Sequence, residues 1–578
     1  MPDMLFYGGP IVTVDPARPR AEALLVQGNR IAAVGSLDEV RAAADAGGTG
    51  GPGADAGGTG GPGAGAGGTE SPRVGEAGGA VEHIDLHGRT LIPGFNDAHI
   101  HLAFTGERTI GIRLVGLTKR EILETVRAAD AEERGAAGRR RRVRRRPLIA
   151  YGWDYETCPD PHRRDLDAVV PDRPVVLMQF SGHGAWLNSA ALERFGITRD
   201  TPSWSMGGAE RDERGEPTGI VGEPTNYPPI RRARLRLQLG QILSPQTNRD
   251  HLRAALRLLA EVGVTSVQDN TWFPWTMWAI RALHRRGELT CRVSCWTFGT
   301  SGFFDWIVSR GRFTRNWYDR GPRKYFWDGA FSSHTAWLTE PYADQPDTAG
   351  GGMEAGEIEK RLHHAMRQRR QIAAHSIGDA ATQAYCDAME RIVAEKGAAA
   401  AAELRHRVEH GQLIRPEDVQ RLRDFGMVVS AQPHAAAEPE KDRRLVGEAR
   451  ARRAYPYRTL LDAGVPLAFG SDYPGENSYD PLFGMHLAVN REGGEAITPE
   501  EALACYTAGS AYAEWREEEK GRLRPGFLAD LAILSEDPKT VDRSRMKEIE
   551  VHATVVDGRF VFVREGSGVA VGPSASTQ

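Results

Sequence analysis

The chain has 578 residues, 40% of them hydrophobic and 26% charged, enough for a large core plus a second, smaller domain. Its 73 Lys and Arg against 77 Asp and Glu leave a net charge of −4, which gives no global pull toward nucleic acid or an anionic membrane surface. The five cysteines (Cys158, Cys291, Cys295, Cys386 and Cys505) form no CxxC pair and are too scattered for a disulfide framework. No run approaches the ~20 apolar residues of a membrane helix, and the start of the chain lacks the charged and apolar regions of a signal peptide. The expectation is a cytoplasmic protein with neither a nucleic-acid nor a membrane partner.

Short β-rich runs open the chain at Ile11 to Val14, Ala23 to Val26 and Arg30 to Val34, with Gly28–Asn29 as a hairpin turn. The block ADAGGTGGPG then fills 44–53 and repeats at 54–63. So much glycine and so little apolar surface cannot offset the entropy of ordering, so 44–80 reads as a flexible loop. β character resumes at Val81 to Leu86. From about 94 to 519, β-rich runs alternate with amphipathic helical patterns, as βα units do. The candidate strands are Leu148–Ala150, Val175–Gln179, Ser266–Asp269, Arg292–Thr297, Tyr325–Trp327, Gln371–His375, Arg405–Glu409, Met427–Ala431 and Pro466–Gly470. Seven arginines at 139–142 and 144–146 lack interleaved aromatics and read as a solvated loop rather than a nucleic-acid patch. The chain ends in β runs at Leu531 to Leu534, Ala553 to Val556 and Arg559 to Val563.

The expected organisation is a small β-sandwich domain built from both chain ends around an α/β (β/α)₈ barrel. Residues 1–93 and 520–565 form the sandwich, 94–519 form the barrel with insertions, and 566–578 form a disordered tail.

In Asp97-Ala-His99-Ile-His101 the two imidazoles lie two apart and face the same way on a strand, where they can share one divalent cation. Alone, such a pair is weak evidence. However, His375, His410 and Asp472 each end a β run, the position where barrels place their chemistry. His410 follows His375 by 35 positions and Asp472 follows His410 by 62, one and two units of roughly 31 residues. If His375 closes the fifth strand, His410 closes the sixth and Asp472 the eighth. The 274 positions between His101 and His375 far exceed four units, so insertions must lie there.

These segments resemble the amidohydrolase superfamily. Leu91-Ile-Pro-Gly-Phe-Asn-Asp-Ala-His-Ile-His-Leu is similar to its first-strand motif. Ala374-His-Ser-Ile-Gly-Asp-Ala-Ala, Arg407-Val-Glu-His-Gly and Gly470-Ser-Asp-Tyr-Pro are similar to the motifs of strands five, six and eight. Lys520-Gly-Arg-Leu-Arg-Pro-Gly-Phe-Leu-Ala-Asp-Leu resembles the segment that re-enters the sandwich. Gly182-His-Gly-Ala-Trp-Leu-Asn-Ser-Ala-Ala-Leu and Arg211-Asp-Glu-Arg-Gly-Glu-Pro-Thr-Gly-Ile resemble the branch that includes the N-substituted formamide deformylases.

The resemblance implies a C–N bond hydrolase with a small-molecule substrate, and it adds the expectation of a homo-oligomer. It implies that His99, His101, His375, His410 and Asp472 hold one or two zinc ions, with Asp472 as general base. Lys324, in Lys324-Tyr-Phe-Trp-Asp-Gly, is either a carboxylated bridge between two metals or a lysine neutralised by a carboxylate such as Asp328. His183 is the candidate for the substrate carbonyl or oxyanion, and a satisfied core histidine is the alternative. Trp153, Asp154, Asn188, Glu223, His334 and Asp379 are candidates for lining the pocket or supporting ligands, and His434 occupies a pocket-lining position. A run of tryptophans (Trp272, Trp275, Trp278, Trp296, Trp306) fits either an apolar substituent's pocket or ordinary packing. Three other readings stay open: a deaminase, a hydrolase of esters, carbamates or cyclic amides, and an inactive binding scaffold. The first is disfavoured because Gly378 stands three residues after His375, where such deaminases carry a glutamate.

Overall fold

The computed structural model describes residues 3–47, 81–136, 147–179, 184–204, 207–222, 224, 227–230, 232, 244–270, 273–299, 306–307, 313–314 and 316–569. At its centre is an eight-stranded, all-parallel sheet rolled into a nearly closed barrel. Its strands are β1 (Phe95–Ile100), β2 (Val264–Asp269), β3 (Arg292–Phe298) and β4 (Tyr318–Phe326). They continue with β5 (Ile372–Ser376), β6 (Arg407–His410), β7 (Val428–Ala431) and β8 (Leu467–Phe469). Runs such as Ile372-Ala-Ala and Leu467-Ala-Phe are apolar on both faces, as parallel strands buried on both sides require. Helices such as Pro245–Glu261 and Asp379–Lys396 pack their buried faces on the barrel's outside. β4 starts seven residues before the expected Tyr325, because Tyr318 to Arg320, despite its charges, pairs with β3.

Two expected barrel strands lie elsewhere. Leu148–Trp153 and Val175–Gln179 belong to a separate six-stranded mixed sheet, together with Ile112–Arg113, Gly184–Leu187, Ala209–Arg211 and Pro217–Gly222. This sheet is inserted between β1 and β2 and accounts for much of the surplus length. One face of its central strands packs Leu148, Ala150, Val175 and Leu177 into the insertion's own core. The other face turns Ile149, Tyr151, Val176 and Met178 toward a cavity above the barrel.

The two chain ends build a β-sandwich. Thr90–Pro93 pairs with Leu531–Leu534 inside a six-stranded sheet that also holds Val551–Val556 and Arg559–Val563. A four-stranded sheet of Arg30–Gly35, Ala23–Gln27, Met4–Tyr7 and Glu82–Asp85 faces it across a core of Phe6, Leu24, Leu91 and Ile533. Buried Arg292 on β3 ties barrel to sandwich, donating to Asp530 at 2.6 and 2.8 Å and to Asp557 at 3.0 Å.

Two loop expectations need correction. Helix Leu37–Gly47 runs into the glycine-rich tract, anchored by Val40 against Leu5 and Leu25; residues 48–80 lie outside the described residues. Past Gly566, Ser567 and Val569 are buried against the sandwich. The arginine run also lies outside the described residues. Among the described residues no helix is long and apolar enough to cross a membrane.

His406, just before β6, is buried and accepts the Ile372 amide at 3.0 Å through Nδ1. Burial lowers its pKa to about 4. The unfolded chain binds a proton here near pH 6.5 and the folded chain does not, so stability falls as pH drops from 6.5 toward 4. In His406→Gln, the loss of stability between pH 7 and 4.5 is expected to shrink by about 2–3 kcal/mol, read from urea melts at both pH values. An unchanged loss contradicts the assignment.

Candidate metal centre

Asp97, His99 and His101 alternate along β1 and its continuation, so all three turn inward. Asp97 Oδ1 accepts the amides of His99 at 3.0 Å and Ser471 at 2.9 Å, while burial raises its pKa to about 7. Just beyond the strands, the Asp472 amide donates to His99 O at 2.6 Å and the His101 amide to Tyr473 O at 3.0 Å. The barrel therefore joins β1 to β8 at the level where the histidines sit.

His410 and Asp472 both have left-handed backbones, with φ of 74° and 52°. Strict alternation would send His410 outward with Val408; the left-handed turn brings its ring to 5.3 Å from His99 and 4.3 Å from His375. Non-glycine residues held in this region cluster at functional sites.

Ligand atoms of His99, His410 and Asp472 all lie within 4.8 Å of one another. Asp472 Oδ1 is 3.4 Å from His99 Nε2 and 3.1 Å from His101 Nε2. Burial holds the His99 and His410 imidazoles well below their usual pKa, in the neutral form that binds metals. Burial alone would raise the Asp472 pKa, but His99, His101 and Lys324 outweigh it and hold the carboxyl below the usual carboxylate range. Among the described residues, buried His410 Nε2 has no hydrogen-bond partner. Neutral imidazoles and an ionised carboxylate converging on one point, with a buried ring nitrogen left over, fit a divalent cation such as zinc.

Lys324 is fully buried on β4, with Nζ 3.3 Å from His99 Nε2. Burial lowers its pKa to about 8, against the pull of Glu409 and Asp472. The expected neutralising partner, Asp328, is engaged elsewhere: its carboxylate accepts the amides of Gly378 at 2.7 Å, Ile377 at 3.0 Å and Trp337 at 3.1 Å. His375 Nε2 pairs with Gly329 O at 2.9 Å.

His101, Lys324, His375, His410 and Asp472 line one cavity of about 910 Å³, whose wall also includes Asp154 and His434. Several expected lining residues face elsewhere. At Trp153 a bulge and a left-handed Gly152 (φ 101°) turn the indole into the insertion's core, where it donates to Leu177 O at 2.8 Å. Asn188 caps helix Ser189–Phe195 and spends its side chain on Ala191 N, Val175 N, Val170 O and Arg173 O. His334 pairs with Asp344 at 3.0 Å, outside the cavity lining. Asp379 accepts the Thr339 amide and hydroxyl at 2.9 and 2.8 Å, fixing a loop to a helix start. Of the tryptophans, Trp275 lines the cavity, Trp296 is in the barrel, and Trp278 and Trp306 are exposed. His183, Glu223 and Trp272 lie outside the described residues.

Glu409 and Arg407 join the site without having been expected from the sequence. Glu409 Oε2 sits 2.6 Å from His99 Nδ1, and Arg407 Nε donates to Glu409 Oε1 at 2.7 Å. The available signal was their spacing of two just before His410, which puts both side chains inside the barrel. At Gly378, a Cβ would fall 1.9 Å from Trp337 O, so no glutamate fits three residues after His375.

A nearly closed parallel barrel with imidazoles and a carboxylate converging at the C-terminal strand ends is the architecture of barrel hydrolases that work through a metal. The chain belongs to the amidohydrolase family, whose model matches residues 82–562. Residues 23–46 also match the bacterial imidazolonepropionase-like composite domain. The chain is 30% identical over 504 residues to the putative amidohydrolase YtcJ of Bacillus subtilis, covering 83% of this chain and 90% of that protein. It is 28% identical to the N-substituted formamide deformylase of Arthrobacter pascens, covering 98% and 99% of the two chains. An uncharacterised metal-dependent hydrolase from Pyrococcus furiosus superposes with a TM-score of 0.69 at 28% identity, covering 93% of this chain and all of that one. Family membership makes the chain a hydrolase and implies a divalent metal.

Proposed function

We propose that the chain hydrolyses a C–N bond of amide or N-substituted formamide type in a small molecule, releasing an amine. The observation that carries this reading is the convergence of His99, His101, His410 and Asp472 at one end of a large cavity. His99, His101, His375, His410 and Asp472 would hold one or two cations, with zinc favoured by the donor set. Such a cation supplies Lewis acidity and lowers the pKa of a bound water toward ~7.

Asp472, held ionised by its neighbours, takes the proton from the attacking water and returns it to the leaving nitrogen. As the C–N bond breaks, the water's oxygen stays on the carbonyl carbon and the amine leaves neutral. His99 and His410, whose ring lone pairs would be engaged as ligands and whose burial disfavours the imidazolium form, are not placed to take that proton. In this reading His183 orients the substrate carbonyl, and Glu223 is a further candidate for contacting the substrate. Lys324 has two roles consistent with its burial: a carboxylated bridge for a second cation, or an amine paired electrostatically with Glu409 and Asp472. The N-substituent lies in the cavity against Ile149, Tyr151, Val176 and Met178, an apolar wall supplied by the insertion.

The test is a panel of N-formyl amines, N-acyl amines, lactams and esters incubated with the zinc-loaded chain, with amine release monitored. Turnover of N-formyl or N-acyl amines supports the reading; turnover of esters alone contradicts it.

A further inference from the structure

Two fully buried charges lie beneath the candidate metal centre, and neither touches substrate or carries a proton in the proposed reaction. Arg407 and Glu409 alternate on β6, each with no measurable exposure, in a barrel interior that aliphatic layers would fill at lower cost. Arg407 spans the barrel floor. Its guanidinium donates to Glu409 Oε1 on its own strand, to Gln268 Oε1 on β2, to Ala98 O on β1 at 2.8 Å and to Ser430 Oγ on β7 at 2.9 Å. It also lies over the Trp296 ring at 4.7 Å, and Trp296 in turn contacts the His99 ring at 5.1 Å. Held this way, Glu409 directs Oε2 at His99 Nδ1, 2.6 Å away, and the same oxygen accepts from Arg407 Nη2 at 3.3 Å. A carboxylate there fixes the proton on Nδ1 and leaves the Nε2 lone pair facing Asp472 Oδ1 and Lys324 Nζ. At His375 the arrangement differs: Nε2 meets Gly329 O at 2.9 Å, with Asp328 Oδ1 at 3.7 Å.

We propose that Glu409, aimed by Arg407, is a positioning residue that sets the ligating tautomer of His99 and thereby the metal affinity of the centre. This rests on the metal-centre reading above. Removing such a partner typically costs 10–100-fold in metal affinity.

The experiment is zinc titration of the metal-free full-length chain against a competing chromogenic chelator, with melting temperature measured on the same samples. Glu409→Asp keeps the charge that Arg407 needs but withdraws the carboxylate from Nδ1. Arg407→Met/Glu409→Leu removes both charges together, a replacement that is often neutral or stabilising. Both variants are expected to bind zinc 10–100-fold more weakly, while the metal-free double variant melts close to wild type. Wild-type affinity in either variant overturns the proposal and leaves the metal centre standing. A double variant that loses affinity only in step with a large fall in metal-free melting temperature, with Glu409→Asp unchanged, also overturns it. A wild-type chain that binds no zinc overturns both.

Discussion

Asp472→Asn is expected to lower kcat by about 10²–10⁴-fold with the fold intact. The carboxylate is the group placed to carry a proton, and Asn can neither accept nor return one. The fold survives because the backbone at 472, not its side chain, helps close the barrel, through the Asp472 amide and His99 O at 2.6 Å. Steady-state kinetics on the zinc-loaded variant, beside its circular dichroism spectrum, check this. Near-normal turnover with a native spectrum would sink the assignment of Asp472 as general base.

The second large effect is expected at Gly470, which touches no substrate. A Cβ there would fall 2.4 Å from the His99 amide nitrogen and 2.8 Å from Asp97 Oδ1. Neither neighbour can yield, since the amide belongs to β1 and Asp97 Oδ1 holds the Ser471 and His99 amides. Gly470→Ala must therefore push β8 away from β1, the seam on which His99 and Asp472 face each other. Overpacking of this kind costs about 1–3 kcal/mol. Displacing aligned groups by about 1 Å can cost 10²-fold in rate. The variant should fold, melt several degrees lower and lose about 100-fold in kcat/KM. Wild-type activity would mean that the seam does not set the ligand geometry.

The position of His375, His410 and Asp472 at the ends of barrel strands was legible from sequence, because a regular βα repeat makes that position countable. The barrel and the sandwich built from two distant segments were legible from the order of β and α patterns. The insertion between β1 and β2 was not. Leu148–Trp153 and Val175–Gln179 are apolar on both faces, as barrel strands are, because one face meets the insertion's core and the other the cavity. Trp153 misled because a bulge at Gly152 reverses the direction that alternation implies. Asn188 and Asp379 misled because polar residues beside a motif read as pocket residues, whereas here they satisfy backbone at helix starts. Glu409 escaped because its importance lies in a partner 310 positions away, His99, and one-dimensional spacing carries no trace of that contact.

The proposed reaction requires a divalent cation held by His99, His101, His410 and Asp472 for cleavage of a C–N bond. It is tested most directly by stripping the full-length chain with a chelator, adding zinc back stoichiometrically and following amine release from an N-substituted formamide. No release is expected from the stripped chain, and release is expected to rise with zinc until one or two equivalents are bound. A stripped chain that hydrolyses the substrate without metal, or one that binds zinc and cleaves no C–N bond in the amide panel, would contradict it.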